Sequence, residues 1–389
     1  MRRSKSGQPG WLFGAGALAA LGVGSMARAQ TTYAVFAAND LGMHCMQADC
    51  SQMLILPPFN TLRAVVIRRG EEPRITTSGV SVSFEIPGNT HSTDKTNFWS
   101  YAQQLLGVNL APDIGLGGVG MNGAMTPNST RGDFAATGIP ITPIDDEGKE
   151  NPYALGLVTV RNTAGAVIGQ TQAVVPVSWE MSCSICHTAT GESVATNILK
   201  AHDRLHGTNL KASQPVLCAS CHSDNALGAP GQPGVSSLSA AMHTAHAERM
   251  PLANLDNECY ACHPGMRTSC QRDVHAANGV TCHDCHGTMQ QVGAPTRNPW
   301  VDEPRCSTCH ARAGFEFEEP GKLYRDSRGH RGNQCWVCHG SPHAWGPAQT
   351  PADNLQSIRL QGHAGKIDTC TVCHTSTPSD PFPHRLSDD

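Results

Sequence analysis

Fourteen of the seventeen cysteines fall into seven Cys-x-x-Cys-His motifs, and nothing else in the chain limits its fold so tightly. The motifs are Cys183–Cys186–His187, Cys218–Cys221–His222, Cys259–Cys262–His263, Cys282–Cys285–His286, Cys306–Cys309–His310, Cys335–Cys338–His339 and Cys370–Cys373–His374. Two residues between the thiols keep both on one local turn, and the histidine leaves the same turn next to them. All seven lie in residues 181–389, about 30 residues for each motif, which is too little chain to bury an ordinary apolar core. First cysteines are separated by 35, 41, 23, 24, 29 and 35 residues. Such irregular intervals argue against a regular solenoid.

Cys-x-x-Cys-His is the attachment signature of c-type haem. The thiols form thioethers with the haem vinyl groups, and the histidine is the proximal iron ligand. Seven haems c, covalently attached, are therefore expected on the fourteen motif cysteines, with His187, His222, His263, His286, His310, His339 and His374 on the irons. Zinc ribbons also use Cys-x-x-Cys pairs but do not need a histidine after every second cysteine. A disulfide framework does not explain the spacing either. The macrocycles then supply most of the apolar interior of this half, wrapped by short helices and loops.

Nineteen histidines leave twelve beyond the proximal set, enough for a second histidine on every iron. His206, His246, His275, His330, His343, His363 and His384 are the first choice as distal ligands, most of them because they lie shortly upstream of a motif. His202 and His243 stand one helical turn from His206 and His246, so either can replace its neighbour or serve a second haem from the same helix. His283, inside its own motif, reads as a bystander. Met242, Met250 and Met289 are further axial candidates but read as filler.

Residues 1–29 read as a signal peptide. Arg2, Arg3 and Lys5 precede a short apolar stretch, Trp11 to Gly24, and Ala27-Arg28-Ala29 is a small-x-small cleavage site. The apolar stretch is shorter than the ~20 residues of a spanning helix, and no second one follows, so no transmembrane segment is expected in the mature chain. Export to the periplasm or cell exterior is expected. Cleavage removes four of the 28 basic residues and none of the 32 acidic ones, leaving a net charge of −8. Acidity of that size disfavours nucleic acid as a partner and suits basic patches on redox proteins or a cationic acceptor.

The expected class is α+β. Residues 30–180 read as a β-rich, sandwich-like domain, followed by the haem-packed domain of short helices and loops over 181–389. Strands are expected over 33–37, 62–67, 80–86 and 155–162, with more at 166–168 and 173–178. One helix is expected over 95–107, capped by Gly107. The Gly-, Pro- and Asn-rich stretch 111–152 reads as a long loop. In the second half, helices are expected over 197–206 and 237–249, both carrying histidine pairs. Cys45, Cys50 and Cys270 remain. Cys45 can close a loop with Cys50, or one of them can join Cys270. His44, Cys45, Met43 and Met46 group soft-metal donors, though a turn packed on the haem half is the plainer reading.

Taken together, the motifs resemble those of bacterial multihaem (heptahaem) c-type cytochromes. The segment Asn39-Asp-Leu-Gly-Met-His-Cys-Met46, Leu217-Cys-Ala-Ser-Cys-His222, Gly329-His-Arg-Gly332 and Gly362-His-Ala-Gly365 carry the likeness. The resemblance implies electron transport in the periplasm or at the cell surface, with redox proteins or an extracellular acceptor as partners. A non-enzymatic carrier predicts two histidines on every iron. An oxidoreductase acting on a small nitrogen or sulfur compound needs one open iron, and His187, with no histidine between His91 and Cys183, is its candidate. A filament subunit, the third form, would borrow a terminal ligand from a second copy.

Overall fold

The computed structural model describes residues 32–384; the expected signal peptide lies outside them. Both helices and sheets are present, as an α+β chain requires. Strands β1 (Tyr33–Asn39), β4 (Thr61–Arg68), β9 (Asp133–Thr137) and β8 (Thr126–Asn128) form one antiparallel sheet, with β5 (Arg74–Ile75) paired to β4. Strands β11 (Val167–Val174), β10 (Leu155–Asn162), β6 (Val80–Glu85) and β7 (Asn122–Ala124) form the second.

The two sheets share one apolar core. Val35 and Ala37 of β1 and Leu62, Ala64 and Val66 of β4 meet Val82 and Phe84 of β6 and Val158 and Val160 of β10. Close approach needs small residues on the second sheet. A Cβ on Gly169 would stand 2.6 Å from Val35, and one on Gly156 3.1 Å from Leu62. The alternate residues of β1 and β4, Ala34, Phe36, Ala38, Val65 and Ile67, are buried as well. They pack against Trp336, Val337 and Val372, which belong to the sixth and seventh motifs. Burial on both faces suits strands as continuously apolar as these.

The expected loop over 111–152 contains β7, β8 and β9. Strand β9 holds the middle of its sheet through a buried carboxylate: Asp133 accepts from Arg63 (3.1 Å) and Arg131 (3.2 Å). Its short Asp-Phe-Ala-Ala-Thr run has little apolar alternation to betray it. The stretch expected as two strands at 166–168 and 173–178 is one strand, β11, then β12 (Val177–Ser178). Helix α1 (Phe98–Leu106) ends at Gly107, whose φ of 71° supplies the left-handed cap.

Two short parallel pairs follow. Strand β2 (His44–Cys45) pairs with β12 within the first half, and β3 (Met53–Leu54) joins the halves by pairing with β13 (Val216–Leu217), immediately before the second motif. Beyond residue 180 the longer helices are α2 (Val194–His206), α3 (Leu238–Ala247) and α8 (Pro351–Gln361). Between them lie the short α4 (Val274–Ala277), α5 (Cys282–His286), α6 (Met289–Val292) and α7 (Cys335–His339), and the hairpin of β14 (Arg328–Gly329) and β15 (Asn333–Gln334). Ser193 caps α2 by accepting from Thr196 N, and Ser237 caps α3 by accepting from Ala240 N. Among the described residues, no helix is long and apolar enough to cross a membrane.

Candidate functional site: seven facing histidine pairs

Every motif folds as one helical turn. In the first, Cys186 N and His187 N both donate to Cys183 O, at 3.2 and 2.9 Å. The second, third, fifth and seventh repeat this 3-10 turn, and the fourth and sixth form α5 and α7. Each turn therefore presents two cysteine sulfurs and an imidazole together, and no two cysteines are joined as a disulfide.

Across from each motif histidine stands a second imidazole. Ring centroids are 6.3 Å apart for His187 and His246, 6.3 Å for His222 and His202, and 6.1 Å for His263 and His243. They are 6.1 Å apart for His286 and His343 and 6.0 Å for His310 and His275. The last two pairs are His339 with His384 at 5.8 Å and His374 with His330 at 6.1 Å. A metal–imidazole bond of about 2 Å, plus roughly 1 Å from nitrogen to ring centre, puts two imidazoles on opposite sides of one metal at a centroid distance of ~6 Å. All seven pairs have that separation.

The other ring nitrogen decides which atom faces the partner. Nδ1 donates to a backbone carbonyl in His222 (Ser236, 2.8 Å), His243 (Ser239, 2.7 Å), His246 (Met242, 2.7 Å), His374 (Glu71, 2.9 Å) and His384 (Glu316, 2.7 Å). It donates to side-chain oxygens of Asn197 from His187 (3.2 Å), of Thr208 from His202 (2.9 Å) and of Asp273 from His275 (3.3 Å). The Thr208 hydroxyl spends its own proton on Asp203, so it accepts from His202. Carbonyls and carboxylates only accept, so Nδ1 holds the proton and Nε2 keeps a lone pair. His343 places Nδ1 3.3 Å from the Cys270 thiol. Burial first, then the facing His243, pushes His263 down to about 4. Burial and His343 do the same to His286, and burial and His384 to His339. These imidazoles are neutral at pH 7, which leaves one ring nitrogen with a free lone pair.

The remaining histidines behave differently. Nε2 of His44, His91, His283 and His363 lies against a carboxylate: Asp40 (3.6 Å), Asp94 (3.3 Å), Glu258 (3.8 Å) and Asp368 (3.5 Å). His206 lies tilted beside His202, with ring centroids 4.8 Å apart.

Five of the seven expected distal histidines, His246, His275, His330, His343 and His384, thus face a motif histidine. His206 and His363 do not, and His202 and His243 stand in those positions. Proximity in sequence was the misleading signal. The last motif takes His330 from the β14–β15 hairpin rather than the nearby His363, and α3 serves two motifs at once through His243 and His246. Helical spacing on α3 was the signal that pointed to both.

Among the described residues, no three His, Cys, Asp or Glu side chains converge as a bare metal ion requires. The imidazoles converge in twos, with thiols on the same turn. That donor set fits a planar cofactor that brings its own four equatorial ligands and is anchored through sulfur.

The sequence contributes one contact that its motifs do not announce. Arg272, fully buried, holds Asp353 of α8 through two hydrogen bonds (2.7 and 3.0 Å) and donates to Gly42 O (2.9 Å). Its own amide donates to His343 O (2.8 Å). The Asn39–Met46 segment is thereby seated on the turn that carries His343. Glu180 makes a second clamp, accepting from the backbone of Gly265, Met266, Arg267 and Thr268 just beyond the third motif.

Comparison with known proteins brings no match to this chain, whether among family models, curated proteins or solved structures.

Proposed function

We propose that the chain is an exported c-type multihaem cytochrome of seven covalently attached haems, each held by two histidines, that conducts electrons between redox partners outside the cytoplasm. The observation that carries this reading is the seven motif histidines, each facing a second imidazole at 5.8–6.3 Å. Haem supplies the one-electron chemistry. The residues of the chain do the rest. Paired cysteines would tether each macrocycle, the motif histidine and its partner would ligate its iron, and the Nδ1 acceptors hold eight of the fourteen rings in the tautomer and orientation that ligation needs.

Full axial ligation favours a carrier over an enzyme. His187, the candidate for an open position, faces His246. His384, at the C-terminal end of the described chain, faces His339 of the same chain, so no ligand from a second copy is called for. In this reading residues 30–180 are a β-rich module that supports the haem-packed half. The test is a mass and an EPR spectrum of the oxidised, purified protein, with and without cyanide. Seven haems, all low-spin and unresponsive, are expected. A high-spin fraction near one in seven that binds cyanide would overturn the carrier reading, and fewer than seven haems would overturn the full loading.

A further inference from the structure

We infer that the seven histidine pairs form a single unbranched row that follows chain order except at its start, where the second motif precedes the first. The inference rests on the reading of the pairs as haem sites and adds their order.

Each neighbouring step is fixed by a contact that two pairs share. Helix α2 carries His202, which faces His222, and also Asn197, which receives the Nδ1 proton of His187 at 3.2 Å. One helix therefore joins the second pair to the first. Helix α3 carries His246, which faces His187, and His243, which faces His263. One helical turn, a rise of about 5.4 Å, separates these two ligands. The same neighbourhood is closed by a backbone bond of 3.1 Å from Ser182 N, beside the first motif, to Ala261 O, inside the third. The third and fourth pairs meet through Asn257, whose amide donates to the Cys282 thiol at 3.6 Å, and through Cys259, 4.0 Å from His283 Nε2.

Aromatic rings make the next two links. Trp345 touches His343 of the fourth pair (6.4 Å between centroids) and His275 of the fifth (5.3 Å). Phe317 lies between His310 of the fifth (6.4 Å) and His384 of the sixth (5.3 Å). The sixth and seventh motifs share one apolar cluster, in which Val337 and Cys338 pack with Val372 and Cys373.

The exchange at the start has a simple cause. Both ligands on α3 serve the motifs on either side of the second one and pass it by, so the second motif is held at the end of the row by α2. The end pairs are His222 with His202 and His374 with His330. Each of the other five has a neighbour on both sides.

The test is iron-edge anomalous diffraction from crystals of the holoprotein, which locates each iron and assigns it to its motif. The expected order of nearest irons is second, first, third, fourth, fifth, sixth, seventh. An iron of the second motif lying between those of the first and third, or any branch in the row, overturns the inference while leaving seven haems in place. Fewer than seven irons would instead count against the reading on which it rests. The Cys183→Ala/Cys186→Ala variant gives an independent check by pulsed EPR distance measurement between low-spin irons. Removing the first haem should leave the second without a close neighbour and the other five still contiguous. Retention of a close neighbour for the second iron would overturn the order.

Discussion

Residues 32–180 and 181–384 stabilise themselves by different means. The first region holds 34 of the 44 buried apolar residues, most of them between two sheets, on the outer face of one of them or around α1. The second has ten, although it is the longer: four make one small cluster and three pack on the first region's sheet. Its order comes from polar pins: capped short helices, the Arg272–Asp353 pair, the amides gathered by Glu180 and the seven facing imidazoles. A chain with so few apolar contacts of its own needs another apolar component, which in the proposed function is the haem. The first region needs none.

The sharpest way to break this contrast is to make the protein without haem attachment. Limited proteolysis followed by mass spectrometry should then find cuts throughout 181–384 while 32–180 stays protected. Equal protection of both regions would show that the second folds without cofactor.

Next in size are two truncations of about 3–5 kcal/mol each. Arg272→Ala strands the buried Asp353 carboxylate without its partner. Phe36→Ala leaves a cavity where β1 packs on the sixth and seventh motifs. Denaturant unfolding measures both, and a loss below about 1 kcal/mol in either would remove that residue from the interface described above.

A smaller effect, about 1.5–3 kcal/mol, is expected for Glu180→Gln. Burial pushes the Glu180 carboxyl up, but the hydroxyl and amide of Thr268 and the amides of Arg267 and Met266 outweigh it and hold it below its ordinary value. The charged form therefore stabilises the fold above the ordinary glutamate range, and that contribution fades as pH falls through the lowered value. Wild-type protein should lose stability relative to Glu180→Gln as pH is taken below about 4. Parallel pH profiles for the two would remove the clamp.

The mildest expectations separate ligands from bystanders. His202→Ala and His243→Ala should each turn one haem high-spin, whereas His206→Ala and His363→Ala should leave the spectrum and the unfolding midpoint nearly unchanged. The reverse pattern would reassign the second and third pairs.

Much of this was legible in the chain. The seven motif turns, the long strands β1, β4, β6 and β10 and the helices bearing histidine pairs follow from local spacing, turn residues and periodicity. Strand β9 did not, because its place depends on Asp133 meeting arginines from β4 and from the turn before it. Distal partners were legible only in part. The imidazole that faces a motif is decided by which element reaches that turn, so His330 crosses to the seventh motif while His363, much nearer in sequence, lies against Asp368. Nor could spacing reveal that Arg272 is buried, since its partners lie 81 and 230 residues away.

The seating of Gly42 against the His343 turn has a consequence for how the molecule is assembled. Gly42 has a φ of +82°, and a Cβ there would come within 2.3 Å of Pro342 O and 3.2 Å of His343 Cβ. The surface that receives the His343 turn thus comes from a segment some three hundred residues earlier in the chain. Gly42 acts as a mould: any side chain there would push the His343 turn away from it, so a substitution at residue 42 should displace the imidazole that faces His286.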